Sequence, residues 1–391
     1  MRITMDRYRL ATSTWDDAEL NAIREVIESD MYSMGPQVAT YEQQFAKTFD
    51  SNYCVMVNSG SSANLLMIAS LFYRKHNRLK RGDEIIVPAV GWSTTYAPLQ
   101  QYGLKVKFVD IDRDTLNIDL KQLKEAVTDN TKAIMVVNLL GNPVDMNELM
   151  NIAGDRIVLE DNCESMGATY LGKAAGSFGL MGTFSSFFSH HISTMEGGCI
   201  VTDDEELYHI LLCLRSHGWT RNLPENNHVT GTKSTNAFEE SFKFALPGYN
   251  VRPIEMSGAI GQQQLKKLPA MLEQRKANAQ LFKELFADID VITQQEVGTS
   301  SWFGFSIVTH NHFMKQNLVK AYQDNNIECR KIVSGNFLRS PMLEFFDYKK
   351  HSECTNAEYI DAGGLFVGNS HENLSDQLQN LAEITKRTLQ K

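Results

Sequence analysis

Two adjacent histidines, His190 and His191, stand in the stretch TFSSFFSHHISTMEGGCIVTDD, residues 183–204. Imidazole titrates near neutral pH, so either ring can take up a proton and give it back under ordinary conditions. The apolar runs on both sides read as strands, which makes the histidine segment a loop between them. The pair can be read as metal ligands, as a general acid/base, or as solvated loop residues. Two adjacent ligands on one loop, with no third His or Cys close by, make the metal reading the weakest.

Four other segments hold residue types suited to a site. VNSGSSAN (57–64) sets Gly60, Ser61 and Ser62 between a strand and a helix. Backbone N–H groups at a helix start, with two hydroxyls, can cradle a phosphate; an N-cap in a Gly/Ser turn is the plainer reading. No Gly-Lys-Ser/Thr follows, so this is not a P-loop. VLEDNCESMG (158–167) ends an apolar strand with Asp161 and continues to Glu164. A carboxylate at a strand end can hold a ring nitrogen in its protonated form, or it can simply start an Asx-turn. Trp92 follows another strand in VPAVGWSTTY, where its indole can stack on a flat cofactor or fill a core. PGYNVRPIEMSG (247–258) carries Asn250 and Arg252 just ahead of a long helix, and a solvated turn explains them equally well.

These residues need a scaffold, and the chain supplies alternating elements for one. YCVMV (53–57), EIIVP (84–88), KVKFVD, KAIMVVN and RIVLED (156–161) read as buried strands. WSTTYAPLQQYG, DLKQLKEAV and DMNELMNIA read as the helices between them. Such alternation predicts an α/β layer around a mixed, mostly parallel sheet. From about residue 250 the pattern becomes helical, with a kink expected at Pro269. The division predicted is a large α/β cofactor-binding domain over 1–274, including the start of a spacer helix, and a smaller α+β domain over 275–391. TRNLPENNHVTGTKSTN (220–236) is a long polar loop of the kind that often serves function.

Composition narrows the classes. The chain has 391 residues, 42% of them hydrophobic, which suits a globular protein with a large core. A net charge of −9 argues against nonspecific nucleic-acid binding while allowing a local basic pocket. No apolar run is long enough to cross a bilayer, and the first twenty residues lack an apolar signal core, so a cytoplasmic location is expected. The six cysteines are scattered, with no C-x-C or C-x-x-C pair, which predicts reduced thiols and neither a zinc nor an iron–sulfur site.

Taken together, the order of these segments resembles the sugar aminotransferase family of pyridoxal-phosphate enzymes, the DegT/DnrJ/EryC1 family, over essentially the whole chain. The order is a Gly-Ser cradle, an aromatic after a strand, an aspartate at a strand end, F-S followed by E-G-G, then G-Y-N-x-R. The resemblance implies the aspartate-aminotransferase fold. Relatives carry a lysine in the F-S…E-G-G loop that holds pyridoxal phosphate as a Schiff base, and His190 stands in its place here. That replacement, with SHHISTMEGGCIVTDDEE, HGWTRNLP and LPGYNVRPIEMSGAIG, resembles the sugar 3-dehydratases of the family, specifically the kind without an iron–sulfur cluster.

The resemblance implies noncovalent pyridoxal 5′-phosphate or pyridoxamine 5′-phosphate, GDP-4-keto-6-deoxymannose as substrate, and L-glutamate as amino donor in a step toward colitose for the lipopolysaccharide O-antigen. It also implies that Gly60, Ser61, Ser62 and Ser185 bind the phosphate, with Asn250 of a second subunit in a homodimer. Trp92 would stack on the ring, and Asp161 would pair with the ring nitrogen. Glu164, where many relatives have Gln, would lie near the ring hydroxyl. His190 would be the base and then the acid, and Arg221 and Phe242 would contact substrate. For His191 a structural hydrogen bond is expected.

Overall fold

The computed structural model describes residues 7–390. The N-terminal part runs α1 (Asp17–Glu28), α2 (Pro36–Thr48), β1 (Tyr53–Val57), α3 (Gly60–Ser70), β2 (Glu84–Pro88), α4 (Ser93–Gln101), β3 (Lys105–Val109), α5 (Leu120–Ala126), β4 (Thr131–Val137), α6 (Met146–Ala153) and β5 (Ile157–Asp161). A two-strand ribbon, β6 (Thr169–Tyr170) and β7 (Lys173–Ala174), leads to β8 (Met181–Ser185), β9 (Gly198–Thr202) and α7 (Glu205–Arg215). The polar loop holds β10 (Asn226–Asn227) and β11 (Gly231–Thr232), and α8 (Ala237–Glu240) follows it. After α9 (Glu255–Phe286) come β12 (Gly304–Val308), α10 (His312–Asp324), β13 (Cys329–Arg330), β14 (Tyr348–Lys350), α11 (Thr355–Gly363), β15 (Gly364–Gly368) and α12 (Ser375–Leu389).

The main sheet has eight strands in the order β1-β9-β8-β5-β4-β2-β3-β14. Only the pairs β1–β9 and β9–β8 are antiparallel, and the others are parallel. The expected α/β class and mostly parallel sheet are therefore what forms. Every residue of β2, β5 and β8 is buried, as continuous apolar runs covered by helices on both faces require. Because β9 reverses direction twice over, β1 ends at the same edge as β2, β4, β5 and β8. Ser61, Trp92, Glu164 and His190 follow strands that end at this edge, and Asp161 and Ser185 are the last residues of β5 and β8.

A second layer is a three-stranded sheet, β12-β15-β13, antiparallel throughout. It packs with α10, α12 and the end of α9 around Phe282, Phe305, Tyr322 and Leu378. Two features join the layers. The strand β14 adds in parallel to the edge of the main sheet at β3. Asp110, just past β3, accepts from the Asn356 and Ala357 N–H groups at 2.8 Å each, capping the first turn of α11. The helix α9 continues through Pro269, the expected site of a kink, to Phe286. Packing against α1, α2 and α12 outweighs the one backbone hydrogen bond that proline removes.

Candidate active site

The converging strand ends enclose a cavity of about 270 Å³. The helix α3 begins there, immediately after β1. Ser59 is its N-cap, and Ser59 Oγ accepts from the Ser62 N–H at 3.0 Å. The N–H groups of Gly60 and Ser61 have no acceptor within the helix, as at any helix start. Ser61 Oγ lies 3.0 Å from Thr94 Oγ1, so two hydroxyls from different helices meet at this corner. A side chain at position 60 would place its Cβ 2.7 Å from Ser185 Cβ and 3.0 Å from Cys163 Sγ. Glycine therefore lets the start of α3 close against the end of β8. Gly60, Ser61 and Ser185 line the cavity, whereas Ser62 is taken up in the cap and does not.

Asp161, at the end of β5, is buried. Its Oδ2 accepts from Asn64 Nδ2 at 2.8 Å and from Thr95 Oγ1 at 2.7 Å, and its Oδ1 from the Cys163 N–H at 3.2 Å. Three donors from α3, α4 and the following loop fix one carboxylate orientation. Trp92 is the N-cap of α4 and lines the cavity with half its surface free (52%), which is unusual for tryptophan and leaves an indole available to a flat ligand.

His190 and Glu164 line the same cavity from opposite loops. The His190 N–H donates to Phe187 O at 2.9 Å, and the ring packs on Phe303 at 5.2 Å between centroids. Desolvation, with the positive charges of Arg330 and Arg275, pushes its pKa down to about 4, so the imidazole is neutral at physiological pH. Its buried Nδ1 has no partner among the described residues. Glu164 Oε2 accepts from the Leu140 N–H at 3.1 Å. Desolvation raises its pKa to about 7 against that hydrogen bond and Arg330, with the Asp161 charge adding to the rise.

Three predicted residues lie elsewhere in the subunit. Asn250 is exposed and accepts from Arg252 Nε at 3.0 Å. Phe242, 72% exposed, stacks on Trp219 at 5.4 Å, and the Arg221 guanidinium lies 5.0 Å from the same ring. None of the three lines the cavity. Conversely, the sequence reading missed Arg330, Phe303, Asn64 and Thr95. Arg330 is the only arginine or lysine among the described lining residues, and none of their carboxylates lies within ion-pair distance of it. Its guanidinium sits 4.8 Å from the Phe366 ring. Asn64 and Thr95 could have been suspected from their place within the first five residues of helices that follow strands.

A helix-start hydroxyl corner, a half-free tryptophan, a fixed strand-end aspartate and a neutral histidine suit one class of enzyme: one that holds a flat, phosphorylated cofactor and moves protons beside it. Residues 13–385 match the DegT/DnrJ/EryC1/StrS aminotransferase family, and the chain belongs to it. A GDP-4-keto-6-deoxy-D-mannose 3-dehydratase from Escherichia coli O55:H7 is 63% identical over 390 residues, 98% of this chain and 100% of that one. One from Yersinia pseudotuberculosis is 62% identical over 395 residues, 99% of this chain and 100% of that one. A crystal structure of a GDP-4-keto-6-deoxymannose-3-dehydratase with a trapped PLP-glutamate geminal diamine matches with a TM-score of 0.96 at 62% identity, covering 97% of this chain and 100% of that one. The fold is that of the pyridoxal-phosphate-dependent aminotransferases.

Proposed function

We infer that the chain removes the C3 hydroxyl of GDP-4-keto-6-deoxy-D-mannose to give GDP-4-keto-3,6-dideoxy-D-mannose, a step toward GDP-colitose. L-glutamate restores the amine form of the cofactor, and ammonia and 2-oxoglutarate are released. The observation that carries this reading is a neutral His190 in the wall of the cofactor cavity, in a chain more than 60% identical end to end with two 3-dehydratases. Pyridoxamine 5′-phosphate, when bound, supplies an amine for the sugar's C4 ketone and a ring that takes up the electron pair left by a departing proton.

The chain's own residues would hold and steer that group. Gly60, Ser61 and Ser185 would receive the phosphate, with Ser62 holding the Ser59 cap behind them. Trp92 would cover the ring. Asp161, already oriented by three donors, would keep the ring nitrogen protonated. His190 would serve as the base beside the cofactor's C4′ carbon, accepting a proton on its unprotonated nitrogen. The burial that keeps His190 neutral makes its cation a strong acid, so the same ring readily gives that proton to the departing C3 hydroxyl. Histidine at this position, in place of an amine nucleophile, leaves the cofactor free of a covalent tie to the protein. Glu164 would face the ring hydroxyl. Arg330, the one permanent cation among the described residues of the cavity wall, would hold a carboxylate of glutamate.

Asn250, Arg221 and Phe242 do not line their own subunit's cavity, which fits a homodimer in which they complete the partner's site. No described helix is long and apolar enough to cross a membrane. The reading carries a cytoplasmic location, where glutamate and nucleotide sugars are available.

Mass spectrometry of a mixture of protein, pyridoxal phosphate, L-glutamate and GDP-4-keto-6-deoxymannose tests the function. A ketosugar lighter by one oxygen, formed only with glutamate, is expected. An amino sugar that keeps nitrogen at C4 would replace this reading with transamination. His190→Asn should lower turnover by about 10²-fold or more.

A further inference from the structure

The second histidine is fully buried, and the proton-transfer role of His190 leaves it without a task. His191 Nε2 lies 3.1 Å from the backbone carbonyl oxygen of Ser301. A carbonyl only accepts, so Nε2 carries the hydrogen and donates it. Burial and the neighbouring Arg275 charge keep the ring from taking a second proton, and Nδ1 is buried with no partner among the described residues. The tautomer and the charge of His191 are thereby fixed.

What it grips is itself rigid. The Ser301 N–H donates to Gly141 O at 2.9 Å, and the Phe303 N–H to Leu140 O at 3.0 Å. Arg275 Nη1 donates to the carbonyls of Trp302 and Asn369 at 3.2 and 3.0 Å. Trp302, between them, is held at φ +48°, a left-handed conformation that only a well-tied segment maintains. A Cβ on Gly141 would come within 2.4 Å of Trp302 N, so the two segments touch backbone to backbone. Phe303, the last residue of this clamp, has both imidazoles against its ring, His190 at 5.2 Å and His191 at 5.7 Å between centroids.

We propose that His191 is a positioning residue: its Nε2–H···O=C bond to Ser301 ties the loop carrying His190 to the 300–303 segment and sets the packing of His190 on Phe303. The proposal rests on the reading of His190 as the proton carrier. Removal of the tie lets the loop between β8 and β9 move away from Phe303, and His190 gains water. The groups facing His191 are His190 on its own loop and Arg275 on α9, and neither changes charge between pH 5 and 8.

Two variants separate positioning from bulk structure. His191→Gln can present an amide N–H to Ser301 O, whereas His191→Phe keeps a ring and loses the donor. Each is to be measured by histidine NMR titration without cofactor, pyridoxal phosphate affinity, melting temperature, and the kcat and KM of the sugar reaction. For His191→Phe the expected result is a His190 midpoint that moves up from about 4 toward the ordinary 6.5, a fall in kcat of tenfold or more, and cofactor affinity within about twofold of the parent. His191→Gln should restore most of both. Parent-like kcat and titration in His191→Phe overturn the proposal. Equal losses in both variants, accompanied by lost cofactor affinity and lowered melting temperature, overturn it as well, because the residue then serves packing alone. Should His190→Asn retain turnover, the base assignment fails, while the NMR readout still decides whether His191 positions His190.

Discussion

Glu164 and His190 face one cavity and are pushed to opposite protonation states by the same lack of water. For His190 the folded pKa of about 4 lies below the ordinary 6.5, so the unfolded chain binds a proton first as pH falls. Its contribution to stability is therefore present above about pH 6.5 and is lost as the pH drops toward 4. Glu164 runs the other way. With a folded pKa of about 7 against 4.5, the folded chain holds a proton that the unfolded chain has released. This carboxyl favours folding least above pH 7 and costs nothing below about 4.5. Glutamine in its place can still accept from the Leu140 N–H and never ionises. Glu164→Gln should therefore stabilise the cofactor-free protein at pH 8 by about 2 kcal/mol, a figure reduced for the water that the cavity admits beside a half-buried carboxyl. At pH 5 the difference should shrink toward zero. Urea unfolding at both pH values measures it, and a difference independent of pH would mean that Glu164 titrates like an ordinary surface acid.

At the scale of elements, the site depends on how closely α3 abuts β8. Gly60→Ala would set a methyl group 2.7 Å from Ser185 Cβ. Ser185 Cβ is fixed to the backbone of β8 and cannot turn aside, so the helix start must retreat. That separates the N–H groups of α3 from the Ser185 hydroxyl, and pyridoxal phosphate affinity should fall by roughly tenfold or more, the effect of about 1.4 kcal/mol. Titration followed by cofactor absorbance reads this directly, and unchanged affinity would remove α3 from the phosphate site. Much of this scaffold was legible beforehand, because local signals specify it: apolar runs such as IVLED end in polar residues, and Gly/Ser or Trp-Ser-Thr turns open the helices that follow. Where the partners are distant in sequence, the signal is absent. Arg330 sits on a two-residue strand with no periodicity to announce it. The convergence of Asn64 and Thr95 on Asp161 depends on the arrangement of three elements. β14 extends the large sheet from a segment about 240 residues beyond β3, so a sequence division at 274/275 misses that crossing. The continuation of α9 to Phe286 likewise shows tertiary packing carrying a helix past a proline that locally argues for its end.

For the whole molecule, the arrangement of exposed residues bears on assembly. Phe238 and Phe242, 84% and 72% exposed, lie just after the polar loop together with Phe244, and Arg221 is near its start. Tyr32 and Ile254 are also about half exposed, beside the start of α9. Surface aromatics grouped in this way are what a subunit interface would cover. If the partner subunit supplies Asn250, each active site takes its histidine from one chain and its asparagine from the other. A two-fold dimer makes that arrangement reciprocal. Subunits carrying His190→Asn and subunits carrying Asn250→Ala should each be inactive alone, the first for want of the base and the second for want of a phosphate ligand. After unfolding and refolding together, half of the dimers are mixed, and each mixed dimer has one site with both native residues. Roughly a quarter of all sites should then be intact, and activity should rise to about that fraction of the parent value. Size-exclusion chromatography with light scattering establishes that the dimer is present in every sample. No recovery from a properly refolded dimeric mixture would place Asn250 outside the partner's site, and the exposed aromatic loop would then need another role.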